Sequence, residues 1–147
     1  MNIPLIGREK EKEILLEALQ SPEAEMVAVI GRRRVGKTFL IRQHYRQQIQ
    51  FEASGLHGAT FAQQLESFGA SLEIWFPDSR RGTPESWIEA FRWLLAALEG
   101  MPRRTGKQVL FFDEFPWFAT QRSGFLSAFE WFWNGFASQR PDLIVVI

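Results

Sequence analysis

The segment that most constrains the fold is residues 26–38, MVAVIGRRRVGKT. Its first five residues are apolar, and Val27, Val29 and Ile30 are β-branched. Such a run is too short for a helix and is flanked by turn formers, so the pattern predicts a strand over 26–30 buried on both faces. Gly31 and Gly36 then allow a sharp turn, and Phe39, Leu40 and Ile41 open a helix reaching about Gln47. A doubly buried strand leading through a glycine turn into a helix is the opening unit of a layered α/β arrangement.

The remaining chain repeats that alternation. Residues 8–20 carry apolar positions at Ile14, Leu15, Ala18 and Leu19, one stripe of an amphipathic helix, and Ser21-Pro22 ends it. Residues 49–53, IQFEA, read as a short strand. Phe61, Leu65, Phe68, Leu72 and Trp75 keep helical spacing after a cap at Thr60. Thr83 as cap and Pro84 in the first turn precede Trp87, Phe91, Leu94 and Leu98, with Gly100 as the stop. Residues 108–112, QVLFF, form a third strand running into Asp113 and Glu114. Phe125, Phe129, Phe132 and Phe136 mark a last helix capped near Ser123, and LIVVI at 143–147 is the final strand. Strands alternating with helices predict one α/β domain over residues 1–147 with a parallel sheet.

Gly31 to Thr38 matches the P-loop pattern GxxxxGK[ST] in full. The glycines let successive backbone N–H groups and the next helix N-terminus point at phosphate oxygens. The expected nucleotide-binding residues are Gly31, Arg32, Arg33, Arg34, Val35, Gly36, Lys37, Thr38 and Phe39. Lys37 reaches the β- and γ-phosphates, and Thr38 sets its hydroxyl on Mg²⁺. Arg32, Arg33 and Arg34 suit phosphate, an acidic partner or solvent equally well. The third strand delivers two acids at its carboxyl end, where open α/β sheets bind ligands. Asp113 suits Mg²⁺, and Glu114 suits orienting and deprotonating an attacking water, so Lys37 and Glu114 are the expected catalytic pair. RRTGKQ at 103–108 is not a second phosphate loop, because no Gly stands five residues before Gly106 and Gln follows the Lys.

Taken together, IGREKE at 6–11, GRRRVGKT, FFDEFPWF at 111–118 and FWN at 132–134 resemble the archaeal-type ATPases of the AAA+/STAND group of P-loop NTPases. The resemblance implies a three-layer fold in which the final strand lies between the P-loop strand and the strand carrying Asp113. It also implies that Ile6 to Glu9, and so Gly7 and Arg8, lie near the adenine. In such relatives the strand matching LIVVI leads to a polar sensor residue, a further strand, a lid and C-terminal domains. The chain is therefore expected to be the N-terminal portion of such an ATPase, cut after the fourth core strand. The function expected is ATP binding with slow Mg²⁺-dependent hydrolysis coupled to conformational switching. The alternative is a non-catalytic nucleotide-binding or protein-interaction module left by truncation.

Composition removes several other classes. Lys+Arg and Asp+Glu are 17 each, so no bulk charge draws the chain to nucleic acid or anionic lipid. With no Cys, thiolate catalysis, disulfides and Cys-ligated zinc are excluded. The first residues hold neither a signal-peptide core nor a membrane span, and a cytoplasmic setting is expected. His44 and His57 lack the spaced partners of a metal site. Arg80, Arg81, Arg122 and Arg140 are equally eligible as a transition-state arginine. Ser54 is a weak candidate for contact with Glu114. Of 21 aromatic residues, 11 fall between Phe111 and Phe136. Their helical spacing predicts core packing rather than base stacking. Trp117 is set apart as a contact for another domain or partner, and uncovered aromatics predict a homo-oligomer or a protein partner.

Overall fold

The computed structural model describes residues 9–29, 36–102 and 105–147. In chain order the elements are α1 (Glu9–Gln20), β1 (Glu25–Val27), α2 (Lys37–His44), β2 (Ile49–Ser54), α3 (Phe61–Trp75), α4 (Trp87–Glu99), β3 (Gln108–Asp113), α5 (Phe125–Gly135) and β4 (Leu143–Val146). The four strands form one parallel sheet in the order β1-β4-β3-β2. The last strand thus lies between β1 and β3, the order the family resemblance implies.

Alternation along the inner strands builds two cores. Val109 and Phe111 of β3, with Ile144 and Val146 of β4, face α1 and α2 and meet Leu15, Leu40, Ile41 and Tyr45. Leu110 and Phe112, with Leu143 and Val145, face α3, α4 and α5. The result is three layers, helices on both faces of the sheet. The buried Tyr45 hydroxyl donates to the Leu15 carbonyl at 2.7 Å, tying α1 to the end of α2. Burial pushes that phenol well above its ordinary pKa, so the hydroxyl stays a neutral donor.

Most of the aromatic excess fills the second core. Phe91 sits among six rings, those of Phe68, Trp87, Phe112, Phe125, Phe129 and Phe132, with centroid separations from 5.3 to 6.2 Å. Phe118 and Phe125 stack at 5.0 Å, joining the loop after β3 to α5. These separations fall in the range where ring pairs attract beyond simple area burial.

Several local expectations are corrected. Ile14 is exposed, because only Leu15 and Ala18 of α1 turn fully inward. The first strand is shorter than 26–30 and only partly buried, since β1 is an edge of the described sheet and Ala28 faces out. Ile30 lies outside the described residues. α4 starts at Trp87 rather than after Thr83, because the Ser86 hydroxyl accepts from the Glu89 N–H at 3.1 Å and so caps the helix. Pro84 instead packs against Gly69 of α3. Gly124, in the left-handed region at φ 76°, is the cap of α5, while Ser123 accepts from the Phe125 N–H. The Thr60 cap stands, with a full capping box to Gln63.

Phe91→Ala is expected to lower stability by about 3–5 kcal/mol, because the surrounding rings come from three helices and a strand and cannot collapse into the space. Guanidinium unfolding monitored by circular dichroism measures this.

Candidate functional site

The carboxyl ends of β1, β3 and β4 and the start of α2 converge at one end of the sheet. Between them lies a cleft of about 270 Å³ lined by Ala28, Val29, Lys37, Ile41, the segment 111–116 and Ile147. Strand pairing continues to its rim, where the Val29 N–H donates to the Ile147 carbonyl at 2.8 Å. The carboxyl edge of a parallel sheet is where α/β folds receive ligands, since loops there leave a crevice open.

Lys37, Thr38, Asp113 and Glu114, four of the expected site residues, meet here, with Gly36 directly before Lys37. Gly36 is in the left-handed region at φ 85° and precedes α2 directly, with no side chain capping the helix. Among the described residues the first-turn N–H groups thus have no side-chain cap, the usual setting for an anion. Lys37 lines the cleft beside Asp113 and Glu114. The Thr38 hydroxyl donates to Asp113 Oδ2 at 2.7 Å across 75 residues of chain. Asp113 is buried, and its Oδ1 accepts from the Glu114 N–H at 3.0 Å. A hydroxyl and a carboxylate, both hard oxygen donors, thus stand together beside a lysine, a set that fits Mg²⁺ carried on a phosphate chain. Phe39 is half-buried on the first turn of α2. Gly7, Arg8, Gly31, Arg32, Arg33, Arg34 and Val35 lie outside the described residues.

Glu114 departs from regular backbone. Its φ of 53° and ψ of 45° are left-handed, uncommon for a residue with a Cβ, and turn the chain sharply off β3 into a 3₁₀ turn over Phe115–Phe118. Strain of this kind, on the order of 1–3 kcal/mol, persists only where the surroundings impose it. A constraining contact comes from Gly55, the residue directly after β2. A Cβ on Gly55 would lie 2.4 Å from the Glu114 carbonyl oxygen and 2.9 Å from the Phe118 nitrogen, so only glycine lets the two loops touch. The Gly55 N–H also donates to the Asp113 carbonyl at 2.9 Å.

Ser54 pairs in register with Asp113, but its hydroxyl donates to the Gly55 carbonyl at 3.2 Å. Among the described residues, the Trp117 indole holds the Glu114 carboxylate, its Nε1 donating to Oε2 at 2.7 Å. Trp117 is half-buried and meets the His57 ring edge-on at 4.4 Å. It is thus engaged within the chain by both contacts. Gln64 and Gly55 were not anticipated. Gln64 stands three residues after Phe61 and four before Phe68, inside the buried stripe of α3, and a glutamine at such a position is the available signal.

The arginine candidates lie elsewhere. Arg140 is fixed by Asp142 at 2.8 and 2.7 Å at the amino end of β4, and that hydrogen bond holds its pKa above the ordinary arginine value. Arg81 lies 5.8 Å over the Trp93 ring, and Arg80 and Arg122 are exposed. None of these four lines the cleft. Arg42, one turn after Thr38, pairs with Glu52 of β2, and its pKa is raised first by that hydrogen bond and in smaller part by the charge of Asp113. Gly106 and Lys107 sit at the opposite end of β3, where Lys107 donates to the Glu23 carbonyl. That placement agrees with rejecting a second phosphate loop.

Among the described residues, no group of three or more His, Asp or Glu is arranged to hold a metal by itself, and no helix is long and apolar enough to cross a membrane. Comparison with protein-family models gives no match, and comparison with curated proteins gives none.

Gly55→Ala is expected to cost about 1–3 kcal/mol, because its new methyl meets backbone rather than a pliable side chain. Gly135→Ala, with nothing within 4 Å of the added carbon, serves as the near-neutral control. Denaturant midpoints of the two variants give the comparison.

Proposed function

We propose that this chain binds Mg-ATP in the cleft between the start of α2 and the end of β3 and hydrolyses it slowly, as an archaeal-type ATPase of the AAA+/STAND group. The observation that carries the reading is the 2.7 Å hydrogen bond from Thr38 to Asp113 beside Lys37. A phosphate loop ending in Lys-Thr gains chemical sense when its hydroxyl meets a strand-end carboxylate, because the two together make an oxygen site for the metal.

In this reading Gly31 to Gly36 and the α2 N-terminus cradle the phosphates, and Lys37 neutralises charge on the β- and γ-phosphates. Thr38 and Asp113 would hold Mg²⁺, directly or through water, and the ion would supply positive charge against the phosphate oxygens. Glu114 orients a water on the γ-phosphorus and takes its proton. The oxygen–phosphorus bond to that water forms as the β–γ bridging bond breaks, and the electron pair leaves with ADP. The resemblance to archaeal-type ATPases assigns Gly7 and Arg8 to the base end of the nucleotide. The nucleotide state repositions an attached or partner domain, in a cytoplasmic setting. Exposed aromatics such as Phe61 and Trp131, at 40% and 43%, are candidates for contact with a second copy or a protein partner.

Titration with a fluorescent ATP analogue and Mg²⁺ tests the binding half. Lys37→Ala is expected to weaken affinity about tenfold or more, the value of one charged hydrogen bond, and unchanged affinity overturns the reading. Glu114→Gln is expected to keep that affinity and lose phosphate release. A variant turning over at the wild-type rate removes Glu114 from its role.

A further inference from the structure

We infer that Trp117 is a positioning residue for Glu114: its indole N–H fixes the carboxylate for work on water, under the control of the loop that follows β2. The inference rests on the reading of Glu114 given above.

The indole Nε1 donates to Glu114 Oε2 at 2.7 Å, three residues along the chain. A glutamate side chain turns about three torsions and ordinarily spreads over many rotamers. One short hydrogen bond to a large planar ring reduces that freedom only if the ring is itself held. Trp117 is held from three directions. Its backbone follows Pro116 in the tight turn that begins at Glu114, whose carbonyl accepts from the Trp117 N–H at 3.0 Å. Its ring meets His57 edge-on at 4.4 Å. Its carbonyl accepts from Gln64 Nε2 at 2.8 Å, and Gln64, buried in α3, also grips both backbone groups of Leu56 at 2.7 and 3.1 Å. With Gly55 against the Glu114 carbonyl, the segment 55–57 touches the acid's backbone, the indole ring and, through Gln64, the backbone of Trp117. The carboxylate is therefore coupled to the loop after β2, and a shift of that loop is carried to Glu114.

Misplacing a reacting group by about 1 Å can cost 100-fold in rate. Trp117→Phe keeps an aromatic ring and deletes the donor. Its expected effect is a fall in kcat of about 10-fold to 100-fold at saturating Mg-ATP, with KM and analogue affinity within twofold of wild type. In a Glu114→Gln background the same substitution should add no further loss, because the indole acts through that carboxylate. The bond itself is read without turnover: the indole ¹H–¹⁵N signal missing in Trp117→Phe identifies Trp117, and it should move in Glu114→Gln while the other five indole signals stay in place.

Wild-type kcat in Trp117→Phe, an equal loss of affinity and rate, or an unmoved Trp117 indole signal in Glu114→Gln each overturns the positioning role while leaving nucleotide binding intact. A wild-type chain that binds Mg-ATP without turnover also overturns it, since no water is then activated. Failure of the wild-type chain to bind Mg-ATP overturns the parent reading, and the indole signal then still reports separately whether Trp117 holds Glu114.

Discussion

Because β3 is buried along its whole length, each of its backbone groups has to find a partner in β2 on one side or β4 on the other, and this pairing fixes where the strand ends. Its last residue is Asp113. A carboxylate largely buried at a strand end takes donors from what is nearby: the Thr38 hydroxyl and the next N–H. The start of α2 is thereby tied to the middle of the sheet. The apolar run QVLFF does more than fill the core, since it sets the depth at which two acids are delivered to the cleft.

The same constraint explains the conformation of Glu114. The chain has to leave a fully paired strand within one residue while β2 and Gly55 press from the side, and a left-handed residue makes that exit. Holding a non-glycine residue there costs energy that the Gln64 and Trp117 hydrogen bonds and the stacking of Phe118 on Phe125 help offset. Core and site are continuous at this point. The 3₁₀ turn whose Phe118 anchors one face of the aromatic cluster also carries the indole that holds the acid.

The two helical layers were legible because their signals are local. Strict spacing of Phe61, Leu65, Phe68, Leu72 and of Trp87, Phe91, Leu94, Leu98 leaves little choice of face, and Thr60 caps by contact with a residue three positions away. Boundaries fared worse where two caps competed: Thr83-Pro84 and Ser86 both suit a helix start, and packing of Pro84 on Gly69 decides for Ser86. The partial exposure of β1 was hidden for a similar reason. A run such as MVAVI specifies an apolar strand and says nothing about whether the sheet continues beyond it.

What the sequence by itself determined is the set of elements, their α/β alternation and the residue types at the cleft, because hydrophobic period, glycine spacing and strand-end acids are all properties of neighbouring positions. Only the tertiary structure decided which residues reach one another across long stretches of chain. Thr38 with Asp113, Gly55 against Glu114, Gln64 on Trp117 and Arg42 with Glu52 are such pairs. It also made the Trp117 indole a partner of the Glu114 carboxylate, a hydrogen bond set once β2, α3 and the loop after β3 have packed at the distances the sheet imposes.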